Sequence, residues 1–442
     1  MRAFIASVAA LLLVLAAAPQ LRAQDSAPGP LRLEISEGVI EPMPIALPPF
    51  GGPDGAVLGE QVRRIVKRDL EDSGLFRVID EAAYLERPAG ADMRPNFANW
   101  AILNAEALIV ADAQVEPDGR LAVRMQLWDV FGERALGDGL GLRASPEATR
   151  RVGHKLADAI HLALTGEPGY FDSRIAYVAE TGPKNARVKR IAIMDQDGAN
   201  LRYLTDGRDL VLSPRFSPDG AYLVYLSYKG GHPRVRIMDV LTGRDQDLGG
   251  FPGMTFAPRF SPDGRKVLLS LARGGDSDIY EMDLASREMR ALTSGPGIKT
   301  SPSYAPDGRR IVFESDAGGT QQLYVMDLGG GAPRRISFGE GRYGTPVWSP
   351  RGDLIAFTKI LRGRFHVGVM RPDGASERLL TASFLDEAPV WSPNGRVLLF
   401  FRETPGPNGA PALWRVDATG RNLRRVPTAT PASDPSWSAL LP

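Results

Sequence analysis

Phe216-Ser217-Pro218-Asp219-Gly220 is the stretch that decides the fold, because the chain keeps returning to it. It recurs as Phe260-Ser261-Pro262-Asp263-Gly264 and Tyr304-Ala305-Pro306-Asp307-Gly308. It continues as Trp348-Ser349-Pro350-Arg351-Gly352 and Trp391-Ser392-Pro393-Asn394-Gly395, and closes in a reduced copy, Trp437-Ser438. The aromatic positions stand 44, 44, 44, 43 and 46 residues apart. A period in the forties with strand-like content is the signature of a β-propeller, each repeat being one four-stranded blade. Pro presets φ for the second position of a type I turn, Asp or Asn suits the third, and Gly takes the positive φ that closes the hairpin. The Asp-Gly pairs therefore read as turn chemistry. A Ca²⁺ site would need more than the single carboxylate each copy offers.

Around each phrase lie four strand patterns. The first ends at the phrase, and the second is apolar, as in residues 222–226, 267–271 and 397–401. The third ends in Asp239, Asp283 or Asp327, with Arg371 at the corresponding place in the fifth copy, and the fourth is short. Residues 175–178, 191–195 and 201–204 supply strands two to four of a blade that lacks a first strand. Residues 435–438 are a first strand with nothing after it. Together they predict one shared blade that ties the ends of the ring and removes its open edges. Six phrases mean six blades.

The first part of the chain reads differently. Arg2 followed by the apolar run 4–18 and Ala23 has the form of a secretory signal cleaved after residue 23. The run is too short to span a bilayer, and no other stretch is long and apolar enough. The expectation is an exported protein. Residues 24–36 then form an arm whose start is rich in Pro and Gly. Leu31, Leu33 and Ile35 alternate with polar residues as in a strand. Such a strand can pair with its own domain or add to a partner's sheet. Residues 31–166 interleave strands and helices, which predicts a small α/β domain. Leu58, Val62, Ile65, Val66 and Leu70 mark one helix, with Asp54 near its start and Gly74 at its stop. Ser145-Pro146-Glu147 opens another, and Gly166 ends it. Residues 31–166 and 169–442 are thus the two domains: a small α/β domain, then an all-β six-bladed propeller.

Composition narrows the function. The chain has 442 residues, 24% charged, with a net charge of +1, so no global field favours nucleic acid or an anionic membrane surface. It contains no Cys, which excludes a disulfide framework, a thiolate metal site and a cysteine nucleophile. There is no G-x-S-x-G elbow, no H-E-x-x-H and no P-loop. His154 and His161 share a helix face, but seven residues place them about 10 Å apart, too far for one ion. They read as ordinary helix histidines. No cofactor and no metal is expected.

What remains is binding. The residues just before each first strand should open on one end of the channel. They are Leu212-Ser213, 254–257, 299–301, 343–345, 386–388 and Ser433-Asp434. They differ between repeats while the phrase does not, which fits a partner site and also fits ordinary loop drift.

The domain order, together with four stretches, resembles the TolB family of the Tol–Pal system. The stretches are Ser173-Arg174-Ile175-Ala176-Tyr177-Val178, residues 323–328 and 330–336, and Phe384-Leu385-Asp386-Glu387-Ala388-Pro389. The resemblance covers essentially the whole chain after residue 23. It implies a periplasmic, non-enzymatic, monomeric protein whose propeller mouth binds Pal, a peptidoglycan-anchored outer-membrane lipoprotein. It implies that the N-terminal arm, through Leu31, Leu33 and Ile35, binds TolA, which reaches from the inner membrane. The system keeps the outer membrane intact and supports division. Colicins exploit the propeller in some bacteria, and other outer-membrane or peptidoglycan-associated proteins are possible partners. By position, the Pal-facing candidates are Met254, Ala257, Thr300, Asp386 and Glu387; the family can carry a polar or histidine residue where Met254 stands. The rival readings are a glycan- or peptidoglycan-binding propeller, and a propeller hydrolase built on Asp386, Glu387 and Asp434.

Overall fold

A computed structural model describes residues 41–251 and 253–442. The expected signal segment and the arm with Leu31, Leu33 and Ile35 lie outside the described residues.

In the α/β domain, β1 (Met43–Ala46) lies between β2 (Phe76–Val78) and β3 (Ala107–Val115), parallel to both. β3 turns at Pro117-Asp118-Gly119 into the antiparallel β4 (Leu121–Asp129), which also pairs with β5 (Arg134–Ala135) and β6 (Leu140–Ala144). Two helices cover one face of this sheet. Val62, Val66 and Leu70 of α1 (Glu60–Asp72) and Val152, Leu156 and Ile160 of α3 (Thr149–Thr165) pack on Ile45, Ile109 and Val123. Trp100 of α2 (Phe97–Ala101) covers the other face, on Ala46, Leu108 and Val110. β3 is buried on both sides, which is why its sequence is a continuous apolar run. Gly153 lets α1 and α3 close together, since a Cβ there would lie 2.7 Å from Ile65 Cγ2.

Helix boundaries follow the capping signals with one difference. Ser145 and Pro146 open α3 through a single 3-10 turn, and Gly166 ends it at φ 73°. Ser145 makes no side-chain cap, and neither does Asp54 ahead of α1. Its carboxylate accepts from the Val115 N–H at 2.6 Å, so it ties the end of β3 down instead.

The ring consists of six four-stranded sheets. The blade formed from both ends of the chain has the order Ala432–Trp437, Arg174–Thr181, Val188–Asp195, Arg202–Tyr203. Its innermost strand pairs Trp437 with Ile175 and Ala432 with Ala179. Each turn phrase behaves as its chemistry dictates. Gly220, Gly264, Gly308, Gly352 and Gly395 all sit at φ between 67° and 78°. In the first copy, Ser217 Oγ accepts from Tyr222 N–H at 2.9 Å and Asp219 Oδ1 accepts from Ala221 N–H at 3.0 Å. The carboxylate is consumed by its own turn. The aromatic ahead of the turn bridges blades: Trp391 Nε1 donates to Val347 O at 3.0 Å.

The two domains share one apolar core. Tyr170 and Phe171, just past α3, pack with Leu156, Ile160, Tyr177, Leu399 and Trp437 in a single buried cluster. The Tyr170 and Trp437 rings meet edge to face at 5.7 Å.

Candidate functional site

A four-stranded blade sends the loops between strands one and two, and between three and four, to one end of the ring. The other two connections run to the opposite end. The α/β domain occupies the turn-phrase end. Glu167 pairs with Arg351 at 3.0 Å and Arg396 at 3.3 Å, and Asn394 Nδ2 donates to Pro168 O at 2.8 Å. At the end of α1, Asp72 pairs with Arg415 at 2.9 Å and Arg424 at 2.7 Å. The mouth lined by the repeat-specific stretches therefore points away from the α/β domain.

Those stretches are not ahead of the first strands but inside them. The innermost strands begin at Val211, Met254, Lys299, Arg342, Leu385 and Ala432, and each breaks register once in its middle. At each break one residue takes a left-handed backbone: Ser213, Ala257, Ser301, Thr345, Ala388 and Asp434, with φ between 45° and 54°. Every one of them precedes a proline: 214, 258, 302, 346, 389 and 435. A non-glycine residue in this conformation costs about 1 kcal/mol. The bulge it forms bends the strand and re-aims side chains, and a proline is tolerated there because a bulge leaves one N–H unpaired. All six residues line a cavity of about 140 Å³ in the channel, together with Arg215, Arg259 and Glu387. The repeated X-Pro step was visible in the sequence, but its role needed the register.

The candidate partner residues fall into distinct places. Met254 is 44% exposed and borders a groove of about 310 Å³ with His232, Arg234 and Phe251. Ala257 is one of the six bulge residues. Thr300 is buried, and its Oγ1 accepts from Ser270 Oγ at 3.2 Å. Asp386 is fully buried, with both oxygens held by Arg402 at 2.7 Å. That guanidinium lies over the Trp414 ring at 4.7 Å. Glu387 faces the channel, and burial followed by the charges of Asp434 and Glu403 raises its pKa.

Two features were not singled out from the sequence. Glu314 lies behind the ring, its carboxylate accepting from Thr345 N–H at 2.7 Å and Ser301 Oγ at 3.2 Å. Burial pushes its pKa up to about 7, opposed by these hydrogen bonds. The signal was a glutamate at the end of the apolar run 311–313, where the other blades place Leu226, Ser270, Thr358, Phe401 and Val178. The second feature is apolar. Leu210, Met254, Ile298, Phe338 and Phe384 are all exposed, Phe338 at 72% and Phe384 at 52%. Leu210, Met254, Ile298 and Phe384 stand at or one residue before the start of an innermost strand, and Phe338 lies on the connection from an outermost strand, 334–335, to the next innermost one, so all five are at the same end of the ring. Such a rim around a polar centre is a surface suited to a protein partner.

The two helix histidines are buried at the domain interface. His154 Nδ1 lies 2.5 Å from Asp69, whose other oxygen accepts from Gln196 Nε2 at 2.9 Å. Burial pushes Asp69 up, and Asp69 and then Asp197 raise His154 against its own burial, so the pair holds a shared proton. His154, Asp195 and Asp197 have the composition of a metal site. Arg150 already supplies the cation, at 3.1 Å from Asp195 and 2.6 Å from Asp197. His161 packs edge-on to Phe76, Tyr170 and Phe171, and burial lowers its pKa to about 4.

A closed six-bladed ring with an α/β domain locked onto its turn face, and an apolar-rimmed mouth on its free face, defines a class of two-domain β-propeller proteins. Residues 31–136 match the family profile "TolB amino-terminal domain", and residues 161–441 match "TolB beta propeller domain". The chain is 57% identical over 445 residues to the Tol-Pal system protein TolB of Dinoroseobacter shibae, covering 100% of both. It is 60% identical over 418 residues to that of Paramagnetospirillum magneticum, covering 93% of each. The crystal structure of TolB from Acinetobacter baumannii superposes with a TM-score of 0.80 at 30% identity, over 90% of this chain and 97% of that one. The chain belongs to the TolB family. Among the described residues no helix is long and apolar enough to cross a membrane.

Proposed function

We propose that this protein is a non-enzymatic periplasmic component of the Tol–Pal system, binding Pal at the propeller mouth and TolA through the arm at residues 24–36. By this reading it maintains outer-membrane integrity and supports cell division. The observation that carries the mouth assignment is the rim of five exposed apolar side chains, on the end of the ring that the α/β domain leaves free. Met254, exposed beside a groove, and Glu387, in the channel cavity, are the residues proposed to touch Pal directly. Ala257, Thr300 and Asp386 act by shaping the bulges that present them. Asp386 has both oxygens occupied by Arg402, so it is not free to act as a hydrolytic base.

Leu31, Leu33 and Ile35 are the proposed TolA contacts, by strand addition. The arm precedes the domain that locks onto the turn face, so TolA and Pal would act at separate places on one body. Coupling between them is reciprocal in free energy. Photo-crosslinkers at Met254 and Glu387 in cells should capture Pal, and deletion of residues 24–36 should abolish TolA pulldown while sparing Pal. Loss of both partners, or of neither, on deleting the arm would contradict two separate sites.

A further inference from the structure

Behind the mouth the channel continues to the turn-phrase end, where it widens into a vestibule of about 370 Å³. The residue that follows each bulge proline lines it. Round the ring these are Ser436, Arg215, Arg259, Ser303, Val347 and Val390. One half of the ring is a continuous polar arc, Ser-Arg-Arg-Ser, and the other half is Val-Val. Among the described residues, Arg215 and Arg259 are the charged ones lining the vestibule.

The arc is cationic, and the one acid whose charge acts on it, Asp434 on Arg215, forms no ion pair there. Arg215 Nη1 donates to Pro214 O at 2.7 Å and Pro435 O at 3.1 Å, both neutral carbonyls. Among the described residues Arg259 has no hydrogen-bond or ion-pair partner for its guanidinium, and no carboxylate pairs with Arg215. Glu387 and Asp434 line the small mouth cavity that Arg215 and Arg259 also border, but neither carboxylate pairs with either guanidinium. Burial, and then the neighbouring Arg215, push the Arg259 pKa well below its ordinary value. Two like charges held together out of bulk water are costly unless something neutralises them. Ser303 and Ser436 accept from Trp348 N–H at 3.2 Å and Phe216 N–H at 3.1 Å, which leaves both hydroxyl protons to donate.

We propose that the vestibule binds a compact oxyanion of the phosphate or carboxylate class, clamped between Arg215 and Arg259 with Ser303 and Ser436 donating from either side. Paired guanidinia match the oxygens of such an anion. Val347 and Val390 form the wall opposite. The vestibule opens toward the turn-phrase end, while the two arginines also border the mouth cavity, so the clamp stands at the junction of the two.

The test is titration of the full mature chain with inorganic phosphate, and separately with acetate, against chloride at matched ionic strength, read by calorimetry. Saturable binding of phosphate or acetate beyond the chloride response is expected, and which of them binds identifies the anion class. Arg259→Gln should weaken it roughly tenfold or more, the loss expected for a hydrogen bond to a charged group. In anion-free buffer the same variant should melt no lower than wild type, because a like charge has gone. Arg64→Gln, which removes an exposed arginine of α1 in the α/β domain, should bind as wild type. Binding no stronger than chloride, or unchanged in Arg259→Gln, would overturn the proposal.

Discussion

Glu314→Gln should stabilise the protein at alkaline pH and leave it nearly unchanged at acid pH. Burial raises the Glu314 pKa from an ordinary 4.5 to about 7. A carboxyl with a raised folded-state pKa binds its proton more tightly when folded. Its favourable contribution is complete below about pH 4.5 and is lost as pH rises through about 7. The difference of about 2.5 units corresponds to roughly 3 kcal/mol at pH 8. Glutamine has the same shape. Its carbonyl can accept from Thr345 N–H, and its amide can donate to Ser301 Oγ, where the carboxylate now takes both bonds. The variant should therefore gain up to ~3 kcal/mol at pH 8, or roughly 5 °C in melting temperature for a domain of this size. At pH 5, where glutamic acid is itself neutral, the gain should be close to zero. Scanning calorimetry of both proteins at the two pH values decides it. A variant that is destabilised equally at pH 5 and pH 8 would show that Glu314 is held ionised by its donors, and the reasoning would fail.

Three further outcomes follow from the geometry. Trp437→Ala removes the aromatic that joins the closing strand to the shared core, and should cost about 3–5 kcal/mol in denaturant unfolding. Asp72→Ala leaves Arg415 and Arg424 facing each other without a counter-charge; limited proteolysis should show the α/β domain released, with a loss of roughly 3 kcal/mol. Phe338→Ser and Phe384→Ser sit on the exposed rim, so each should weaken Pal capture by about tenfold, near 1.4 kcal/mol, with no change in melting temperature.

Much of the fold was legible before any coordinates. The phrase at residue 216 counted blades because Pro, Asp and Gly each answer one requirement of a tight turn, and those requirements are local. The unmatched strands at 175–204 and at Trp437 revealed the closure, since a missing first strand and a surplus one complete each other. The candidate site was legible only in outline. The six X-Pro steps were in plain sight, yet their left-handed residues follow from strand register, which no single repeat displays. Asp386 and Thr300 look like presented polar groups in sequence; cross-strand pairing buries the first against Arg402, and the neighbouring blade covers the second at Ser270.

The sequence by itself therefore determined the domain order, the number of blades and the closing blade, because periodicity and turn chemistry act over a few residues. Tertiary structure alone decided that the α/β domain sits on the turn face, through Asp72, Glu167 and a shared core around Tyr170. It alone gathered five apolar side chains into one rim, and set Arg215 beside Arg259 in the channel. Residues some 44 positions apart become neighbours only when the ring closes, so what they form together is written in no single stretch.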